Sequence, residues 1–250
     1  MPHNYRRGTA NRRPVRSPVR RPPPVVRKPT TRRETLIGTT EAGDPIRFRP
    51  EDVRVVRLRS RSGTVRGISF PSKRNDASEL MEWMDSADRT ADRKYLPDYL
   101  TGDAYRPGRF QNSPWRAARS TPFYVHAHAD PHAFDITVRT RSGRDVVVGI
   151  DGRTHARLID RNSDFRRSVR RDPNRPVVYM SCESGFPGGN AASRSADYLH
   201  SQGRRNTVYA PTGEGVRVYG TTHTYYGVDA ARDGGPGRFS SFPPPPGRNN

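Results

Sequence analysis

The chain has 250 residues, 45 Lys and Arg against 25 Asp and Glu, a net charge of +20 and only 31% hydrophobic residues. So few apolar side chains suit one globular domain with polar extensions, not a core spread over the whole length. No apolar run reaches the roughly 18 residues that span a bilayer, and the single cysteine, Cys182, excludes an intrachain disulfide and any multi-cysteine zinc site.

Residues 1–33 hold eleven Arg or Lys, no Asp or Glu, and the run Pro22-Pro23-Pro24. Such a segment cannot offset its ordering entropy by burial, so a disordered basic tail is expected. It is also an electrostatic handle for nucleic acid or another polyanion, sequence-blind and salt-sensitive. No apolar segment follows Met1 to Arg7. A conventional secretory signal is therefore not expected, and a cytoplasmic location is, with non-classical export left open.

Residues 34–70 alternate apolar and polar positions around Ser62-Gly63, the pattern of a β-hairpin or short meander. Ala77, Leu80, Met81, Trp83 and Met84 recur at helical spacing, which predicts a helix over 76–92 with Ser78 as its cap. Residues 95–119 read as an irregular connector docked through Tyr99, Tyr105, Phe110 and Trp115. Phe123-Tyr124-Val125 is a short strand leading into His126-Ala127-His128-Ala129-Asp130. Residues 134–138 and 146–148 flank Ser142-Gly143 as a hairpin. Helical spacing continues over 152–170. Residues 176–180 form a continuous apolar run, which suits a strand buried on both faces, ending at Ser181-Cys182. A helix over 190–201, capped by Asn190 and stopped by Gly203, precedes two strands around Pro211-Thr212-Gly213. Residues 233–250, rich in Gly and Pro, read as a second disordered tail. Alternating strands and helices over 34–232 predict an α/β domain: a mainly parallel sheet flanked by helices, with an N-terminal β-hairpin region.

In an open α/β sheet, sites form beyond the carboxyl ends of the strands. Two such ends are chemically loaded: one carries His128, the other Cys182. A nearby imidazole lowers a thiol's pKa and shuttles protons to a leaving group, so the pair suits nucleophilic catalysis. Gly185 and Gly188-Gly189 leave room for close backbone approach, and the Cys182 amide is a candidate oxyanion donor. Asp130 is a candidate to orient His128 or to receive a basic substrate side chain.

Phe123-Tyr124-Val125-His126-Ala127-His128-Ala129 and Val177-Val178-Tyr179-Met180-Ser181-Cys182 resemble the histidine and cysteine strands of the caspase-like cysteine peptidases, the clan that includes gingipains, legumain and separase. The region after the cysteine is similar to the autoprocessing peptidase domains of large bacterial toxins. Residues 65 to about 220, about three fifths of the chain, resemble a domain of very large actinobacterial proteins, often labelled a lonely-Cys domain. The resemblance implies a Cys182–His128 dyad, with Cys182 as nucleophile and His128 as general base. The family usually has glycine after the histidine, and its amide helps form the oxyanion hole. Here that place is Ala129, which keeps the amide and adds a methyl. No cofactor and no metal is implied.

Two rival readings accompany this one. His126, His128, Asp130 and His132 resemble the His-x-His-x-Asp-His signature of zinc hydrolases, but Pro131 spoils the spacing and no second ligand set follows. The other is a catalytically inactive interaction module tethered by its basic tail to nucleic acid or an acidic partner.

Overall fold

A computed structural model of the chain describes residues 34–86, 94–97, 109–219 and 224–246. The basic tail over 1–33, the helix expectation beyond 86, and Tyr99 and Tyr105 lie outside the described residues. In chain order the elements are β1 (Leu36–Thr40), β2 (Pro45–Phe48), β3 (Val56–Arg59), β4 (Val65–Ser69), α1 (Asp76–Ser86), β5 (Lys94–Pro97), β6 (Gln111–Asn112), β7 (Phe123–His126), β8 (His128–Ala129), β9 (Ala133–Arg139), β10 (Asp145–Asp151), α2 (Gly152–Arg161), α3 (Ser163–Arg171), β11 (Val177–Met180), α4 (Ala191–Ser201), β12 (Val208–Pro211), β13 (Gly213–Tyr219), β14 (Thr224–Ala231) and β15 (Phe239–Phe242).

These strands form three sheets. The central one runs β15-β12-β11-β7-β4-β3. Its middle strands β4, β7, β11 and β12 are parallel, and its two edges are antiparallel. A second sheet, β2-β1-β10-β9-β8, is antiparallel throughout, and a small third one, β13-β14-β5-β6, is mixed. The domain is thus mixed α/β, and the expectation of a mainly parallel sheet is corrected. Hairpins with tight turns at Gly63 and Gly143, both at positive φ where glycine meets no steric penalty, supply the antiparallel part.

Strand alternation explains the two-sided core. On β7 and β11, Phe123, Val125, Val177 and Tyr179 face one cluster with the second sheet and α2–α4. Tyr124, Val178 and Met180 face the other way, against Leu80 of α1, Trp115 and Tyr226. Every one of these β7 and β11 residues is buried, as a central parallel strand requires.

Five local expectations change. Ser78 lies inside α1, which starts at Asp76, and residues 95–119, read as an irregular connector, contribute to β5 and β6. The helical stretch over 152–170 breaks at Asn162, whose side chain accepts the amides of Asp164 and Phe165 and starts a second helix. Asn190 makes no side-chain cap to α4; its Oδ1 is buried without a partner among the described residues. Residues 239–242, expected to be disordered, form β15, pairing antiparallel with β12. Phe239 there packs on Trp115 (ring centroids 4.8 Å apart) and Tyr95 (5.2 Å). Among the described residues no helix is long and apolar enough to cross a membrane.

Candidate active site

β7 and β11 are parallel neighbours, and their last pair in register is His126 opposite Met180. Two residues further on in each chain segment stand His128 and Cys182, so both arrive at the carboxyl end of the central sheet. Both line one cavity of about 340 Å³, together with Asp76, His126, Leu80 and Tyr226. The chain does not continue straight past β7. Ala127, fully buried, donates its amide to Ser181 Oγ at 3.3 Å, tying the two strand ends together. The chain then enters β8, so His128 sits where the central sheet hands over to the antiparallel one.

His128 has a carboxylate partner the sequence did not single out. Its Nε2 lies 2.9 Å from Asp76 Oδ1. Asp76 opens α1, and its other oxygen accepts the amides of Ser72 (2.9 Å) and Lys73 (2.8 Å). Burial alone would raise this carboxyl, but the hydrogen bonds from His128 and the Lys73 amide outweigh it and hold it at about 2. An ionised carboxylate accepts and cannot donate, so Nε2 carries the proton and Nδ1 of neutral His128 presents its lone pair. Asp130, the expected orienting residue, is occupied elsewhere. Its Oδ1 accepts the amides of His132 (2.6 Å) and Ala133 (2.8 Å) and closes the β8–β9 turn.

The sulfur of Cys182 is half-buried. The Gly215 amide points at it from 3.4 Å, and burial pushes the thiol's pKa up. The Gly215 hydrogen bond opposes that rise, and the charges of Glu214 and Glu183 add to it. Glu183, next in the chain, holds a φ of 53°, a left-handed conformation that costs a non-glycine residue free energy. It is held there by its amide bond to Gly213 O (2.9 Å) and by a two-pronged pair with Arg232 (2.7 and 2.8 Å).

Of the residues expected to shape the oxyanion loop, Gly185 and Ala129 separate. Gly185 is not available: its amide donates to Pro211 O at 2.8 Å, and a Cβ there would stand 2.2 Å from Ala210 O. Its glycine serves contact with β12, not the site. Ala129 pairs with Phe134, between the hydrogen-bonded 128–135 and 130–133 positions of the hairpin. In an antiparallel ladder such a residue turns its N–H away from the partner strand. Since β8 is an edge strand, the Ala129 amide points off the sheet and remains a candidate donor. The amides that open α4 are also spent within the fold. The amides of Asn190 and Ala191 both donate to Pro131 O, at 2.8 and 3.0 Å.

His126 is a second imidazole in the cavity. Its Nδ1 is hydrogen-bonded to Ser69 Oγ at 2.9 Å, across the β4–β7 pair, and burial holds its pKa down at about 4. Its ring meets that of His128 edge to face, 5.5 Å between centroids. His132 and Asp130 belong to the β8–β9 turn, and among the described residues no group of three His, Cys, Asp or Glu is placed to hold a metal ion.

Nothing matches this chain in comparisons with protein-family models, with curated proteins or with solved structures.

Proposed function

We propose that residues 34–246 form a caspase-like cysteine peptidase domain with Cys182 as nucleophile, His128 as general base and Asp76 as the residue that positions the base. The observation that carries this reading is the convergence of Cys182 and an Asp76-bound His128 on one cavity at the ends of neighbouring parallel strands. The thiol proton passes to Nδ1 of His128, and the thiolate attacks the carbonyl carbon of a peptide bond. The oxygen takes up the negative charge next to candidate amides such as that of Ala129. Collapse expels the amine, which takes its proton from Nδ1 and leaves a thioester on Cys182. Water, deprotonated by the same imidazole, then releases the acid and restores the thiol. The substrate is a protein or peptide, with the chain itself among the candidates.

A second reading, a catalytically silent interaction domain of the same fold, draws on the burial that raises the thiol's pKa, which the Gly215 hydrogen bond offsets only in part. The two separate by labelling. Full-length protein is treated with a peptidyl chloromethyl ketone, and the adduct is located by mass spectrometry. A peptidase is alkylated at Cys182, and His128→Ala slows the labelling by about 100-fold or more, the usual share of general-base help. Unlabelled wild type, or equal labelling of His128→Ala, overturns the peptidase reading.

A further inference from the structure

The pole of the central sheet opposite the cavity has its own chemistry. The parallel strands β4, β7, β11 and β12 all begin there, in register across Gly67–Tyr124, Phe123–Val177 and Val177–Val208. The segments leading into them are residues 59–64, 118–122, 170–176 and 202–207. Together these hold eight arginines (59, 61, 119, 170, 171, 175, 204 and 205) and one carboxylate, Asp172.

These segments are bound to one another. Ser120 donates to Asp172, Arg175 reaches Thr121 O (2.7 Å), Pro122 O (3.1 Å) and Ser168 Oγ (2.8 Å), and Asn206 donates to Arg175 O (2.8 Å). Arg204 is consumed by Asp160 at 2.7 Å, and Arg59 donates to Gly63 O in its own turn. Arg61, Arg119, Arg170, Arg171 and Arg205 are exposed, and none of them pairs with a carboxylate among the described residues. Asp172 is turned inward onto Ser120 and the Asn174 amide. Five unneutralised guanidiniums thus stand on a braced platform about 15 Å wide, three strand spacings of ~4.8 Å.

We propose that this arginine pole is a docking surface for the phosphodiester backbone of a nucleic-acid duplex. Guanidiniums form two-pronged bonds to phosphate oxygens. A width of about 15 Å reaches from one backbone to the other across a groove about 12 Å wide. The exposed large apolar side chains of the described residues are Ile37, Val55, Phe110 and Val147, none of them in these segments, so the pole has no apolar anchor for a bilayer. It has no exposed aromatic platform for unpaired bases either, which favours a duplex over a single strand. Binding is sequence-blind, because nothing at the pole is built to read base edges. The surface is independent of Cys182.

The test is the salt dependence of binding by the full-length chain to a mixed-sequence DNA duplex. Each phosphate contact contributes about 0.9 to the slope of log K against log salt. The variant Arg119→Gln, Arg170→Gln, Arg171→Gln and Arg205→Gln together lowers that slope by about 3.6, and the four Arg→Lys changes, which keep the charge, leave most of it. An unchanged slope in the Gln variant overturns the proposal and assigns binding to the rest of the chain. An equal loss on changing Arg47, Arg144, Arg153 and Arg194 to Gln together, none of them in these segments, overturns it as well. So does equally tight, equally variant-sensitive binding to phosphatidylcholine–phosphatidylserine vesicles. Circular dichroism confirms that each variant is folded before binding is measured.

Discussion

Asp76 Oδ1 lies 2.9 Å from His128 Nε2, although 52 positions separate the two residues in the chain. The carboxylate is seated on the backbone amides of Ser72 and Lys73, in the turn just before α1, so its position is set by its own chain segment as well as by the histidine. That makes it a rigid reference against which the imidazole is oriented, and it fixes which ring nitrogen is bare.

Asp76→Asn tests this orientation directly. The amide keeps the size of the side chain but can donate to Nε2, which stabilises the tautomer carrying its proton on Nδ1. The thiol then has no base to receive its proton. The rate of Cys182 labelling by a chloromethyl ketone at neutral pH is expected to fall by about 10²- to 10⁴-fold, the range in which a wrong tautomer costs general-base systems. Thermal stability measured alongside separates this from loss of the Ser72 and Lys73 contacts. Unchanged labelling in a folded Asp76→Asn protein removes Asp76 from the proposed machinery.

Acid sensitivity is expected from two buried imidazoles. His155 is fully buried, stacked on Phe134 at 3.8 Å, and both its ring nitrogens lack partners among the described residues. Burial pushes its pKa down to about 3, and that of His126 to about 4. Both folded values lie below the ordinary 6.5, so as pH falls the unfolded chain binds protons first. The stability is fully present above about 6.5 and drains away toward 4 and then 3. Between pH 7 and pH 5 each group removes about 2 kcal/mol. The Asp76 carboxyl, held at about 2, acts only below its ordinary 3.8 and leaves this window untouched. Urea midpoints at pH 7 and 5 measure the loss, and His155→Leu is expected to abolish about half of it. A pH dependence unaltered in His155→Leu contradicts the assignment.

Phe239→Ala tests the C-terminal strand. Phe239 is buried against Tyr95, Trp115 and Tyr226 in the cluster beneath the cavity. Truncating a buried phenylalanine costs about 3–5 kcal/mol. The expected readout is a large drop in the unfolding midpoint, whereas a disordered tail would give none.

The individual strands were legible because each carries a local pattern. The continuous apolar run of β11, and the alternation around Ser142-Gly143, state burial and turn geometry in neighbouring residues. The sheet to which a strand belongs has no such signature. β12 and β13 are separated by a single residue yet lie in different sheets, and β3–β4 joins the central sheet while β1–β2 does not. The break of one helix into α2 and α3 was available in the Arg161-Asn162-Ser163-Asp164 stretch, an amide followed by a first-turn acid, but helical spacing on both sides conceals it. β15 was hidden by its glycine- and proline-rich flanks; its only local sign is the pair of phenylalanines three apart.

The amino-acid order alone determined that a histidine and the single cysteine would follow two short apolar strands, because burial and periodicity are properties of adjacent residues. Tertiary structure decided which carboxylate meets that histidine, passing over nearby Asp130 for distant Asp76, and that the Gly185 amide is spent on β12. Those outcomes depend on how α1 packs against the central sheet and how β12 pairs within it. Contacts between segments far apart in the chain are set by the sum of many weak packing terms, which no local motif encodes.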